Sequence, residues 1–195
     1  LVSCLAASPV LAADPDSVLR RHVDASRLRE WRESASEEER AAFDFLFRWL
    51  PAADLAAWRA DAVAEDIRLA LQTRNESPWK EPIPEETFRT WVLPHRVAQE
   101  PVQRWRRTLH DLLWPRVRSR SLREAILETN RFCRGFATFT PTSARDQGPL
   151  TTMARGLGRC EEETIFFVSA ARSVGIPARP AWTPWWMAGD GNHAW

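Results

Sequence analysis

Residues 156–175 of this chain read GLGRCEEETIFFVSAARSVG, and this stretch decides the fold of the C-terminal region. Cys160 follows two closely spaced glycines and opens a segment with helical periodicity. Gly175 is placed to end that helix just after its last turn. A second motif, Asn192-His193-Ala194-Trp195, begins a predicted strand. One thiol and one imidazole at the ends of predicted elements indicate a nucleophile with its base.

The position of Cys160 predicts a reactive thiol. A thiol at a helix N-terminus faces unsatisfied backbone N–H groups and the positive end of the helix dipole, which lower the pKa of the thiol. The acidic residues at positions 161–163 oppose this effect, because they place negative charge beside the sulfur. A cation must therefore outweigh them. We expect an ion pair with His193, with help from Arg155 or Arg159.

Less specific interpretations of the same residues stay open. A cysteine is often a buried small apolar residue, and a histidine at a strand end is often merely hydrogen-bonded. Cys133, beside Phe132 within a predicted helix, illustrates that ordinary case. Two ligands 33 positions apart without a local pair do not make a zinc site, so the sequence predicts neither a metal nor a cofactor.

The first 135 residues are predicted to be nearly all helical. Two capping boxes, Ser36 with Glu39 and Ser121 with Glu124, mark helix starts. Asp54 is predicted to cap a helix that runs to about residue 74, and Pro115 is predicted to end another. The predicted helices span about 36–50, 55–74, 85–93, 102–114 and 121–132.

The pattern changes near Gly135, where short β-branched and aromatic segments appear. Strands are predicted at 136–140, 178–183 and 192–195, separated by a polar loop at 141–149, a helical turn at 150–155 and the helix that follows Cys160. Gln147 in that loop has the right group to donate to an oxyanion. Its amide type and rough position alone do not place it in the catalytic set.

Composition limits the classes of function. Hydrophobic residues make up 44% and charged residues 27% of the chain, which is typical of a globular protein. The net charge of +1 is spread along the sequence, so no basic surface is expected and nucleic-acid binding is not predicted. Three cysteines at widely spaced positions do not indicate a disulfide framework.

The N-terminus predicts export. Leu1-Val2-Ser3-Cys4 is typical of the end of a bacterial lipoprotein signal, and residues 5–13 could equally finish a secretory signal. We therefore expect a periplasmic or cell-envelope location, with a lipid anchor at Cys4 as one outcome. The chain starts without methionine and stops at Trp195 within a predicted strand, so we expect it to be a piece of a longer protein with little turnover of its own.

Three blocks together resemble the transglutaminase-like superfamily: residues 158–163, residues 170–179 and residues 192–195. The resemblance implies an α+β fold with a papain-like core, in which Cys160 opens a helix and His193 lies on an antiparallel sheet. It also implies an aspartate on the strand after the histidine, expected beyond Trp195. The implied organisation is a leader remnant at 1–14, a helical region at 15–120 and an incomplete transglutaminase-like core at 121–195.

The resulting functional hypothesis is cysteine-dependent acyl transfer. Cys160 would be the nucleophile and His193 the general base, forming a thioester from a peptide or carboxamide bond, as in a protease, an amidase or a transglutaminase. The expected partner is a peptide or protein substrate, with cell-wall peptide as one candidate. The alternative is an inactive module that binds peptides or glycans at the cell envelope.

Tryptophans before the histidine indicate a binding loop. Trp182, Trp185 and Trp186 lie in or beside a predicted loop that would border a papain-like cleft and contact substrate. Packing against the helical region is an equally good interpretation. The remaining histidines, His22, His95 and His110, are isolated in sequence and are predicted to be surface or capping residues.

Overall fold

The computed structural model describes residues 13–142, 145–185 and 191–195. Cys4 and Trp186, to which the sequence assigns an anchor and a substrate contact, lie outside these ranges. Helices dominate, and the few strands are short, which agrees with the predicted α+β class. The helices are α1 Pro15–Arg20, α2 Ala25–Ser34, α3 Glu37–Arg48, α4 Asp54–Ala57, α5 Ala60–Glu76, α6 Glu85–Trp91, α7 Trp105–Val117, α8 Leu122–Phe136, α9 Pro149–Arg155 and α10 Cys160–Ser173.

Two small ladders accompany the helices in the described ranges. Strands β1 (Thr138–Phe139) and β2 (Leu157–Gly158) pair in parallel just before α10. Strands β3 (Trp182–Thr183) and β4 (His193–Ala194) pair antiparallel. Backbone bonds between residues 181 and 195 in both directions, at 2.8 and 3.0 Å, extend the second ladder. The histidine of the sequence motif therefore lies on an antiparallel pair, as predicted.

Both predicted capping boxes are present. At the start of α3, Glu39 N–H donates to Ser36 Oγ at 3.2 Å and Ser36 N–H donates to Glu39 Oε2 at 2.7 Å. The same reciprocal pair, Ser121 with Glu124, opens α8. Each box satisfies two backbone donors that the helix itself cannot pair, so these helix starts depend only on local sequence.

The predicted helix over residues 55–74 is wrong in its first part. The chain forms the short helix α4, turns at Trp58 and starts α5 at Ala60. Asp24, 36 residues earlier, accepts a hydrogen bond from Ala60 N–H at 3.0 Å and pairs with Arg59 at 2.7 Å. Asp54 is the first residue of α4 and pairs with Arg96 instead of capping α5. A distant carboxylate therefore sets the start of α5.

The predicted stop at Pro115 is also wrong, because α7 continues through this proline to Val117. Proline removes one backbone donor but does not prevent the helix when packing holds the next turn. Val117 is fully buried, and so are Leu109 and Leu113 on the same face of α7. Burial of this apolar stripe explains why the helix extends past Pro115.

Helix α10 lies at the centre of the core and packs against α5, α7, α8 and α9. Phe166 of α10 is buried, and its ring lies 6.3 Å from Phe132 and 6.5 Å, edge to face, from Phe136 of α8. One hydrophobic cluster extends from Val18 to Ile176. The helix that begins at Cys160 is thus held on several sides by the preceding helices.

Two buried arginines tie α10 to the helical region. Arg106 of α7 is fully buried and donates to the carbonyl of Arg172 at 3.1 Å, near the C-terminal end of α10. The Arg172 guanidinium donates to the carbonyls of Pro94 at 3.1 Å and Arg96 at 2.8 Å. Burial lowers the pKa of Arg106 to about 10 and of Arg172 to about 9. The carbonyl partners compensate for the loss of water around these cations.

His22 and His95 are buried, so the predicted surface position is wrong for both, whereas the predicted capping role fits His22. His22 Nδ1 accepts from Asp24 N–H at 3.0 Å, and Nε2 lies 2.9 Å from the Trp58 carbonyl, so the ring is a neutral capping group. Burial lowers the pKa of His22, consistent with that neutral state. His95 Nδ1 lies 2.6 Å from Asp66. Both histidines therefore serve the packing of the helical region.

Among the described helices, none combines the length and apolar content required to cross a bilayer.

Candidate active site

Cys160 is the first residue of α10, as predicted. The turn before it is shaped by Glu162, whose fully buried carboxylate accepts a hydrogen bond from Arg159 N–H at 2.9 Å. Gly158 leaves space for this side chain, because a Cβ at position 158 would lie 2.9 Å from Glu162 Cβ. Gly156 has φ +71° and ends α9. The two glycines thus have different roles, one ending a helix and the other permitting close packing under the cysteine.

Glu162 also organises the loop before the site. Its carboxylate accepts hydrogen bonds from Thr142 Oγ1 at 3.1 Å and from Gln147 N–H at 3.2 Å. Burial raises the pKa of Glu162, but the hydrogen bonds from Arg159, Gln147 and Thr142 outweigh burial and leave the pKa below its ordinary value. A single ionised carboxylate therefore joins the loop to the first turn of α10.

The Gln147 side chain forms hydrogen bonds close to the same loop. Its amide donates toward the Leu157 carbonyl at 3.5 Å and accepts from Arg155 Nη1 at 2.9 Å. These contacts join Gln147 to the β2 region, so its role is structural in this arrangement and agrees with its exclusion from the catalytic set.

The Cys160 thiol donates a hydrogen bond to Glu161 Oε2 at 3.2 Å. Partial burial raises the pKa of the thiol, and the neighbouring Glu161 carboxylate raises it further. Backbone hydrogen bonds from Ala194 and Glu161 act in the opposite direction and do not overcome these effects. The expected lowering of the thiol pKa is therefore wrong for this arrangement, because burial and the adjacent carboxylate together favour the protonated sulfur more than the backbone N–H groups favour the thiolate.

The carboxylate of Glu161 is itself held in place. Arg159 Nε lies 3.3 Å from Glu161 Oε2, and the same guanidinium pairs with Asp146. Arg159 thus pairs with both Glu161 and Asp146. The sequence predicts that Arg159 helps to stabilise the thiolate, and in the structure its guanidinium is paired with these two carboxylates.

His193 reaches the same site from the other side. Strand β4 holds it opposite Thr183 of β3, and the next residue, Ala194, is the backbone donor to the Cys160 sulfur. The His193 ring stacks on Trp195 with centroids 5.7 Å apart and planes 28° apart. Cys160 and His193 line one cleft of about 470 Å³. The structure therefore brings together the two residues that the sequence assigns to nucleophile and base.

The walls of this cleft include residues that sequence reasoning missed. Phe139 and Trp195 are exposed aromatic groups on it, and Phe166 and Phe167 complete its apolar side. Its polar side chains include Asn130, Arg134, Glu163 and Thr164. Helical spacing was the available signal, since Glu163 and Phe167 follow Cys160 at three and seven positions and share its face of α10.

One of the predicted tryptophan contacts, Trp182, lies on a neighbouring cavity. Trp182 lines a cavity of about 480 Å³ with Arg159 and Glu161, and this cavity shares Thr164 and Ala194 with the cleft of Cys160. Trp182 and Trp185 are 58% and 66% exposed. Both side chains are therefore more than half exposed, and Trp182 shares its cavity with Ala98 and Gln99 of the helical region. Trp182 is placed to contact a ligand that extends from the cleft past Ala194.

Cys133 is buried, as predicted, and burial raises the pKa of its thiol to about 12. It lies on the α8 wall of the cleft. In the ranges the structure describes, histidine, cysteine and acidic side chains form no group of three or more that could hold a metal ion.

A comparison with known protein families matches the segment that contains this cleft. The sequence model described as the transglutaminase-like superfamily matches residues 116–195, from the end of α7 to Trp195. No curated protein and no solved structure gives a significant match. The matched segment contains the complete cleft with Cys160 and His193. Residues 116–195 of this chain are therefore similar to the transglutaminase-like superfamily.

Proposed function

We propose that this protein is a cysteine-dependent acyltransferase or hydrolase of peptide or carboxamide bonds. Cys160 is the nucleophile and His193 the general base. The observation that carries the proposal is the placement of both residues on one cleft, with the thiol at the N-terminus of a 14-residue helix. The superfamily match over the same residues supports it.

The reaction begins with transfer of the Cys160 proton to His193. The sulfur attacks the substrate carbonyl carbon, and the negative charge develops on the carbonyl oxygen. The backbone N–H groups of Ala194 and Glu161, which stabilise the thiolate, are the candidates to stabilise that charge. The carbon–nitrogen bond breaks as His193 returns the proton to the leaving amine. Water or a second amine then releases the acyl group from the thioester.

Activation requires that the thiol exchange one partner for another. In the structure the thiol proton is directed to Glu161, and in the reaction it must go to His193. Rotation of the cysteine side chain accomplishes this without movement of α10. Binding of substrate against Ala194 would favour that rotation by occupying the space beside Glu161.

The substrate class in this proposal is a peptide or protein, and the place of action is the cell envelope. The apolar cleft beside Cys160 and the exposed Trp182 beyond Ala194 suit an extended chain with large side chains. Export, with Cys4 as a lipid attachment point, belongs to the proposal on the basis of the leader-like N-terminal sequence alone.

A specific observation favours a second function. The pKa of the Cys160 thiol is raised and not lowered, and Trp182 and Trp185 are exposed. A neutral thiol beside exposed aromatic groups suits an inactive module that binds peptides or glycans. The two functions differ in a single property, the ability of Cys160 to form a covalent acyl intermediate.

The test is the formation of an acyl-enzyme from an activated ester such as p-nitrophenyl acetate, followed by intact mass and peptide mapping. We expect one acetyl group on Cys160 in the unmodified sequence and none in Cys160→Ala. Cys133 is the internal control, since its buried thiol should stay unmodified. A folded protein that acquires no label at Cys160 across pH ~6 to 9 would exclude the covalent intermediate and leave the binding module as the proposed function.

A further inference from the structure

The cleft beside Cys160 contains two opposite charges without partners. Arg134 on α8 and Glu163 on α10 both line it, and among the described residues neither side chain has a hydrogen bond or an ion pair. Asn130, one turn before Arg134, also lines the cleft and has no side-chain partner there. Most other charged groups around the site are paired, as Arg159 is with Asp146 and Glu161.

The three side chains come from two facing helices. Asn130 and Arg134 are four residues apart and lie on one face of α8. Glu163 lies three residues after Cys160 on the cleft face of α10, so its carboxylate is within one helical turn of the nucleophile. The cleft therefore presents a cationic fork with an amide on one wall and a carboxylate on the other, close to the reacting sulfur.

The environment of Glu163 strengthens this reading. Its carboxyl is half-buried, and burial alone raises its pKa, which means that no cation of the protein compensates its charge. A ligand ammonium would supply that compensation. Arg134 offers the planar pair of donors that matches a carboxylate. Between them, Phe139, Phe167 and Trp195 form an apolar wall.

We infer that this cleft recognises a zwitterionic amino-acid group, with Arg134 and Asn130 holding its carboxylate and Glu163 its ammonium. The group belongs to a substrate with a free amino-acid end, and an apolar side chain of that substrate lies against the aromatic wall. The interpretation of this site as a substrate-recognition site rests on the proposed function. The binding site itself exists whether or not Cys160 reacts.

The test measures protection of Cys160 from iodoacetamide in the 195-residue protein. The probe is L-phenylalanine, and the comparison compounds are N-acetyl-L-phenylalanine and L-phenylalaninamide, each lacking one of the two charges. At about 20 mM, which suits a millimolar site, we expect L-phenylalanine to slow alkylation about threefold or more and the blocked forms to have little effect. The ratio of rates with and without probe is taken within each variant.

Arg134→Gln and Glu163→Gln should each abolish the protection. Arg134→Lys should keep part of it, because the charge remains while the fork is lost. Arg131→Gln is the matched control, an exposed arginine on the same helix whose pairing is with Glu128. Circular dichroism of each variant verifies that α8 and α10 are folded.

Three results would overturn the inference: no protection at this concentration, equal protection by the blocked compounds, or protection that survives both Gln substitutions. The acyl-enzyme assay described above separates this outcome from failure of the proposed function. If Cys160 is acetylated but L-phenylalanine gives no selective protection, the zwitterion site is refuted and the proposed acyl transfer stands. If L-phenylalanine gives selective protection but Cys160 is not acetylated, the zwitterion site stands and the proposed acyl transfer is refuted.

Discussion

Cys160 and Glu161 are neighbours in sequence, and their side chains are also hydrogen-bonded, thiol to carboxylate, at 3.2 Å. The carboxylate stabilises the protonated sulfur, while the helix N-terminus and the N–H of Ala194 stabilise the thiolate. Burial and the neighbouring carboxylate together hold the Cys160 thiol in its protonated state.

Glu161→Gln should make Cys160 more reactive. The substitution removes a negative charge and the acceptor of the thiol proton, so the pKa of Cys160 should fall and the thiolate fraction at neutral pH should rise. We expect alkylation by iodoacetamide at pH 7 to accelerate several-fold. Glu38→Gln, an exposed acid in the first turn of α3, is the control and should leave the rate unchanged. Equal rates in the Glu161 variant and the parent would refute the account of the raised pKa.

His193→Ala should reduce acylation of Cys160 while the fold remains. Loss of a general base costs about 10² to 10⁴ in rate. The measurement is the burst of p-nitrophenol from p-nitrophenyl acetate at pH 7, compared with the parent protein. His110→Ala is the comparison, because His110 stacks on Trp114 away from the cleft. A burst that is as fast in His193→Ala as in the parent would remove His193 from the proposed mechanism.

Gly158→Ala should destabilise the protein, because the new methyl group would lie 2.9 Å from Glu162 Cβ in a region without room for adjustment. Overpacking of this kind costs about 1–3 kcal/mol. Gly135→Ala is the contrasting substitution. Gly135 lies within α8 and has no atom within 4 Å of the added group, so the variant should be more stable by about 0.5–1 kcal/mol. Urea unfolding of both variants gives the two free energies, and a destabilised Gly135→Ala would contradict this account.

Glu162 should make stability depend on acid pH. Its folded-state pKa lies below the ordinary value of 4.5, so its stabilisation is complete above pH 4.5 and is lost as the pH falls through the folded-state pKa. Glu162→Gln should lower the free energy of unfolding by about 2 kcal/mol at pH 7, since a buried acceptor of several hydrogen bonds loses its charge. The difference between parent and variant should shrink at about pH 3. A difference independent of pH would mean that shape, not charge, holds the loop.

Much of the fold could be predicted from local sequence. The capping boxes at Ser36 and Ser121, the helix start at Cys160 and the positive φ of +80° at Gly175 each depend on residues within one or two turns. The position of Cys160 and His193 on one cleft was predicted because the motifs resemble those of a known superfamily. At these positions the local sequence and the order of the motifs were sufficient to predict the structure.

Contacts between distant segments account for the errors. No pattern near residue 60 shows that Asp24 will cap α5, and none near Pro115 shows that Val117 will be buried. At the site, the opposing effects of the helix N-terminus and Glu161 were both visible, but their balance depends on the distance between thiol and carboxylate. The arrangement of Arg134 opposite Glu163 requires the packing of α8 against α10 and could not be read from the chain.

The two buried arginines join the segment that matches the superfamily model to the helices before it. Arg172, inside the superfamily match, donates to the carbonyls of Pro94 and Arg96, outside the match, and to that of Ala178, inside it. Arg106, outside the match, donates to the carbonyl of Arg172 near the end of α10. A piece cut at residue 116 would keep Cys160 and His193 but remove two of the three carbonyl acceptors of this buried guanidinium. A chimera that exchanges only the matched segment would therefore keep the cleft and lose part of the hydrogen bonding that holds α10 on the helical region.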